Sequence, residues 1–188
     1  MKYKTSDEKE KTVDRKICTL SDQMVSLFVR QLQHELYNHN LYRQFANWFG
    51  LHGLVVLEQY YKLRANEEKI HHDWIADYLN ECDAEYEYPE VPKVTEDAKD
   101  FVTPFELTVA KEIETTNLIY DIVNLAQEEK DWMTFGWLMN SNPDKPMLVL
   151  EQQEEETISR TALDIATTDG SWLLKEKSIM NAYKNDLD

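Results

Sequence analysis

Cysteine, glycine, proline and positive charge are all scarce in this chain, and each scarcity excludes a class of protein. Only two of its 188 residues are cysteines, Cys18 and Cys82, far apart and without the close spacing of metal ligands. Such a pair builds no disulfide framework and fits a reducing compartment. Four glycines and five prolines leave few breakers, so most of the chain is free to sit in long helices, whereas sheet architectures need more turn residues. No window approaches the ~18 apolar residues of a membrane span. Met1 to Lys16 is charged throughout and has no apolar stretch of the secretory kind, which predicts a cytoplasmic protein. Twenty basic residues stand against 36 acidic ones, a formal charge of −16. That excess disfavours nucleic acid and anionic membranes as partners and concentrates cations nearby. What is present, 42% apolar residues including 11% aromatics, suffices for the core of one domain.

Residues 1–20 are polar and without helical periodicity, so they read as a flexible extension before a bundle domain over 21–188. After the capping candidates Ser21 and Asp22, apolar residues recur at steps of three and four through Val25, Phe28, Leu32, Tyr42, Ala46 and Phe49. A first long helix therefore ends near Gly50, and the turn Gly50-Leu51-His52-Gly53 leads to a second helix through Leu57, Tyr61, Ile75 and Leu79. Between Cys82 and Thr103, Pro89 and Pro92 interrupt an acidic stretch without helical pattern. About 20 extended residues span up to ~66 Å and a helix of ~28 residues is ~42 Å long, so this stretch is predicted to cross the full bundle. Pro104 suits the first turn of a third helix, with Phe105, Val109, Thr116, Ile119, Val123 and Ala126 on one stripe. A fourth helix, from Trp132 to about Ala166, is interrupted around 140–146, and Trp172 to Tyr183 predicts a short fifth. The fold class is all-α: a four-helix bundle with one long crossover between helices two and three.

Three apolar stripes carry carboxylates: Glu35 on the first helix, Glu68 on the second and Glu112 on the third. An ionised carboxylate in an apolar core costs several kcal/mol unless a cation, a metal or a proton compensates it, so three together call for a common cause. Their levels agree. The midpoint of Glu35 and Glu68 falls at residues 51 and 52, inside the turn, so an antiparallel hairpin places the two side by side. Glu68 and His71 form Glu-x-x-His, which puts an oxygen and an imidazole on one helical face. Glu112 and Glu155 have their midpoint near Met133, beside the turn before helix four.

With His34-Glu35-Leu36-Tyr37-x4-Tyr42, Asn66-Glu67-Glu68-Lys69-Ile70-His71, Lys111-Glu112 and Glu151-Gln152-Gln153-Glu154-Glu155-Glu156, the chain resembles the ferritin family over about residues 21 to 180. Its spacing is similar to that of the bacterial non-haem ferritins. The resemblance implies that Glu35, Glu68 and His71 hold one iron, that Glu68, Glu112 and Glu155 hold a second, and that Gln152 lies beside them. It also implies a third, inner site at Glu67, Glu151 and Glu154, and a tyrosine, Tyr42, that hydrogen-bonds a ligand next to the ferroxidase site. The implied function is iron storage: Fe(II) is oxidised by dioxygen or peroxide, and ferric mineral is kept in a hollow homo-oligomeric shell of twenty-four subunits. The alternative is a shell that binds iron or another divalent metal at an altered, single-iron site without catalysis. A glutamate in place of histidine at position 155 separates the chain from bacterioferritins, and no haem is implied.

Relative to that family, helix four carries about seven extra residues around Asn140 to Pro146, an insertion predicted to remodel the three-fold entrance of the shell. His39 lies one turn after Glu35 and reads as a hydrogen-bonded core residue or an extra ligand. His34, His52 and His72 read as surface positions, and the five tryptophans as packing or interface residues.

Overall fold

The computed structural model describes residues 2–4, 10–12, 20–142 and 146–185. The architecture is all-α. In the N-terminal extension a strand at Lys2–Lys4 (β1) pairs antiparallel with one at Glu10–Thr12 (β2). Cys18 lies outside the described residues.

Among the described residues six helices follow: α1 (Asp22–Leu51), α2 (Val55–Glu81), α3 (Thr103–Glu129), α4 (Trp132–Leu138), α5 (Leu148–Thr167) and α6 (Trp172–Asn185). Ser21 caps α1 by accepting the Met24 N–H at 3.0 Å, which satisfies one of the free donors of the first turn. Gly53, at φ +76°, makes the reversal into α2 that a side chain would strain. Pro104 occupies the first turn of α3, and Asp131 caps α4 through the Thr134 N–H at 3.1 Å. The interruption thus divides helix four into α4 and α5. The predicted remodelling at Asn140 to Pro146 includes residues 143–145, which lie outside the described residues.

In the bundle, α1 packs on α2 and α3, α3 packs on α5, and α6 closes against α5 and α2. The crossover over 83–102 runs along α1, tied by Gln33 and Gln44 side chains donating to the Glu90 and Glu96 carbonyls, each at 2.6 Å. Its polar backbone is satisfied there by side chains instead of a neighbouring strand.

Two apolar clusters fill the interior. Tyr42, Phe45, Phe49, Leu57, Tyr61, Phe105 and Ile158 belong to one, and Met24, Phe28, Leu32, Ile75, Leu79, Ile119 and Leu148 to the other. Along each long helix the carboxylate falls between the clusters: Glu35 after Leu32, Glu68 before Ile75, Glu112 between Phe105 and Ile119, Glu155 between Leu148 and Ile158. A polar waist is therefore held between two dry halves.

Three expectations need correction. The buried stripe of α3 runs Phe105, Thr108, Glu112, Thr115, Ile119, Ile122, while Val109, Thr116 and Val123 sit half-buried beside it. Contacts with both α1 and α5 widen the covered arc beyond one line of residues. His34 is buried, not on the surface, because Thr115 of α3 and Asn38 meet its ring at 2.8 and 3.2 Å. His72 is also buried, under Tyr88 of the crossover, whose hydroxyl lies 2.5 Å from its Nε2.

Candidate metal centre

The waist brings together residues from four helices. Among the described residues, two groups of three offer ligand atoms that all lie within 4.8 Å of one another: Glu35, Glu68 and His71, and Glu68, Glu112 and Glu155. Glu68 belongs to both. All five side chains are buried.

In the first group the polar atoms lack partners. Glu35 Oε1 accepts from the Gln31 amide at 2.7 Å, but Glu35 Oε2, both Glu68 oxygens and His71 Nδ1 have no hydrogen-bond partner although they are buried. Burial, together with Glu112, Glu35 and Glu155, pushes the Glu68 carboxyl well above the usual carboxylate range. Burial opposes a charge on His71, but Glu155, the contact with Glu151 at 3.1 Å and Glu35 outweigh it and raise the ring to about 10. Glu68 and His71 are thus held away from the charge states they have in water.

The second group is filled differently. Arg64, on α2 and fully buried, donates from Nη2 to Glu112 Oε1 at 2.7 Å and lies 3.2 Å from Glu155 Oε1 through Nη1. The Tyr42 hydroxyl donates to the same Glu112 oxygen at 2.5 Å, and the Gln152 amide donates to Glu112 Oε2 at 3.0 Å. Burial raises Glu155 to about 8 against the pull of His71 and Arg64.

The residues implied for an inner site belong to neither of these two groups. Glu154 is exposed, Glu151 is turned to His71, and Glu67 bonds Arg64 at 3.0 Å and accepts from the Tyr183 hydroxyl. His39 directs Nδ1 to the Ala65 carbonyl at 2.6 Å, the hydrogen-bonded reading of the two. Arg64 is the residue that sequence reasoning missed. Its only local signal is a position one turn before Glu68 on the buried face of α2, where a basic side chain ordinarily reads as half of a surface pair.

Chemically, the waist offers carboxylate oxygens and one imidazole, a donor set that suits Fe(II) and favours Fe(III) more strongly, because the harder ion gains more from anionic oxygen. The unpartnered atoms around Glu68 fit a cation.

Known proteins share this sequence pattern and fold. The ferritin-like domain family matches residues 26–141. A bacterial non-heme ferritin of Campylobacter jejuni is 31% identical over 145 residues, 77% of this chain and 83% of its own length. Among solved structures, an open pore ferritin from the hyperthermophilic archaeon Archaeoglobus fulgidus superposes with a TM-score of 0.76 at 25% identity, covering 86% of this chain and 98% of its own. A Chlorobium tepidum ferritin gives 0.72 at 25% identity, with coverage of 89% and 96%.

Proposed function

The chain belongs to the ferritin-like domain family, and from that premise we propose that it is an iron-storage ferritin that takes up Fe(II) at Glu35, Glu68 and His71 and oxidises it. The observation that supports this most is the set of buried, unpartnered atoms on those three side chains in a waist between two apolar cores. Leaving such groups bare costs stability, a cost that a bound cation reverses.

Iron is the substrate here. The carboxylates of Glu35 and Glu68 supply negative charge that stabilises the ferric over the ferrous state. Glu68, shared by both groups, is placed to bridge a second ion held by Glu112 and Glu155. Each Fe(II) gives up one electron, so a pair supplies the two that dioxygen needs to become peroxide, or that peroxide needs to become water. Tyr42 and Gln152 fix the orientation of Glu112, and Glu151 that of His71. The charge of −16 draws cations toward the protein.

By the same reading, ferric mineral is kept in a shell of twenty-four identical subunits in the cytoplasm. No described helix is long and apolar enough to cross a membrane. Stopped-flow absorbance of Fe(II) mixed with air-saturated protein tests the proposal. Oxidation well above the buffer rate, followed by mineral retained with the protein, is expected. Iron bound without acceleration would instead mark a storage shell that does not catalyse oxidation.

A further inference from the structure

Arg64 sets the two halves of the waist apart. It is fully buried, and its guanidinium bonds two of the three carboxylates of the second group, Glu112 and Glu155. Burial works against its charge, but Glu155, Glu112 and Glu67 outweigh that effect and keep it cationic. A divalent ion between the same carboxylates would face this fixed cation a few ångströms away, where a low dielectric makes like charges repel strongly. Guanidinium and ion therefore exclude one another. Among the described residues no arginine or lysine is bonded to Glu35 or Glu68, and the basic group beside them is His71, itself one of the ligands.

Displacement has a structural outlet. Arg64 Nη1 also donates to Glu67 Oε2 at 3.0 Å, and Glu67 is partly exposed, with its other oxygen held by Tyr183. A guanidinium that releases Glu112 and Glu155 keeps a carboxylate partner at the edge of the waist. Resting on the storage reading above, we propose that Arg64 is a built-in competitor for the second metal position, so that the centre fills in order: Glu35, Glu68 and His71 first, Glu112 and Glu155 only once Arg64 is displaced.

Zinc, which does not change oxidation state, tests this order. Crystals of the full chain are soaked in graded Zn2+, and occupancy at each position is read from the zinc anomalous signal. The first position is expected to half-fill at more than ten-fold lower zinc than the second, with a gap of about 100-fold from the cost of breaking a buried ion pair. Where the second is filled, Arg64 is expected to have left Glu112 and Glu155. In Arg64→Gln the gap falls to ten-fold or less. A wild-type gap of ten-fold or less overturns the inference. So does an Arg64 still bonded to both carboxylates beside a filled second position, or a gap unchanged in Arg64→Gln. The two wild-type readings decide the matter without the variant. Absence of zinc between Glu35, Glu68 and His71 would overturn the storage reading itself, a distinct result.

Discussion

The two halves of the waist are built from the same residue types and stand in opposite states. Around Glu35, Glu68 and His71, four buried polar atoms have no hydrogen-bond partner. Around Glu112 and Glu155, an arginine, a tyrosine and a glutamine have taken up most of the acceptor capacity. The first half costs the metal-free protein stability and holds that cost for a ligand. The second is an ion-pair network that ties α2, α3 and α5 together, in which Glu155 Oε2 and Arg64 Nε stay without hydrogen-bond partners. Carboxylates in a bundle core are thus not functional or structural by type. What decides is whether a guanidinium already bonds them.

The largest effect is expected from Glu68→Ala, which removes the carboxylate common to both groups. Iron oxidation should fall at least ~100-fold, beyond what losing an outer-shell partner costs, and the metal-free protein should be no less stable than wild type. Stopped-flow kinetics and thermal melting after chelation read both, and full oxidation in the variant would remove Glu68 from the site. Next comes Arg64→Met, which strands Glu112 and Glu155 in the core. The metal-free protein should lose ~3 kcal/mol or more, about 10 °C in melting temperature, with added zinc recovering part of it. An unchanged melting temperature would show that the network does not support the fold.

A pH series sharpens the contrast within the second half. Burial raises Glu155 to about 8 from an ordinary 4.5, so its contribution to stability is present below pH 4.5 and is lost as pH rises through 8. His71, raised to about 10 from 6.5 because Glu155, Glu151 and Glu35 outweigh its burial, acts with the same sign between 6.5 and 10. The metal-free protein should therefore melt lower at pH 8.5 than at pH 5. Glu155→Gln should flatten the part of that slope below 8, and a slope unaltered by the substitution would contradict the assignment. The smallest effect belongs to Glu154→Ala. The side chain is exposed and belongs to neither group, so iron oxidation should change by less than ~2-fold. A ten-fold loss would give Glu154 a direct part in iron handling.

Much of the fold was legible because the strongest signals are local. Ser21, Gly53, Pro104 and the proline-bearing stretch over 83–102 mark ends and connections by their own backbone chemistry. Glu35, Glu68 and Glu112 stood out because each interrupts an apolar stripe, and the length of the first hairpin places two of them level. Arg64 was not legible. Its burial is made by Glu112, 48 positions away, and by Glu155 on α5, and nothing near it in sequence announces either. His34 and His72 were misplaced for the same reason: Thr115 of α3 covers one and Tyr88 of the crossover the other. The one-line stripe of α3 failed because a helix contacted from two sides buries a wider arc than three-four spacing implies.

The central claim is that the bare half of the waist receives iron. Crystals soaked anaerobically with Fe(II) and measured at the iron absorption edge test it most directly. An anomalous peak bounded by Glu35, Glu68 and His71 is expected, at higher occupancy than any peak between Glu112 and Glu155. Iron bound elsewhere with no peak at Glu68, or bound only beside Glu112 with Arg64 in place, would contradict it.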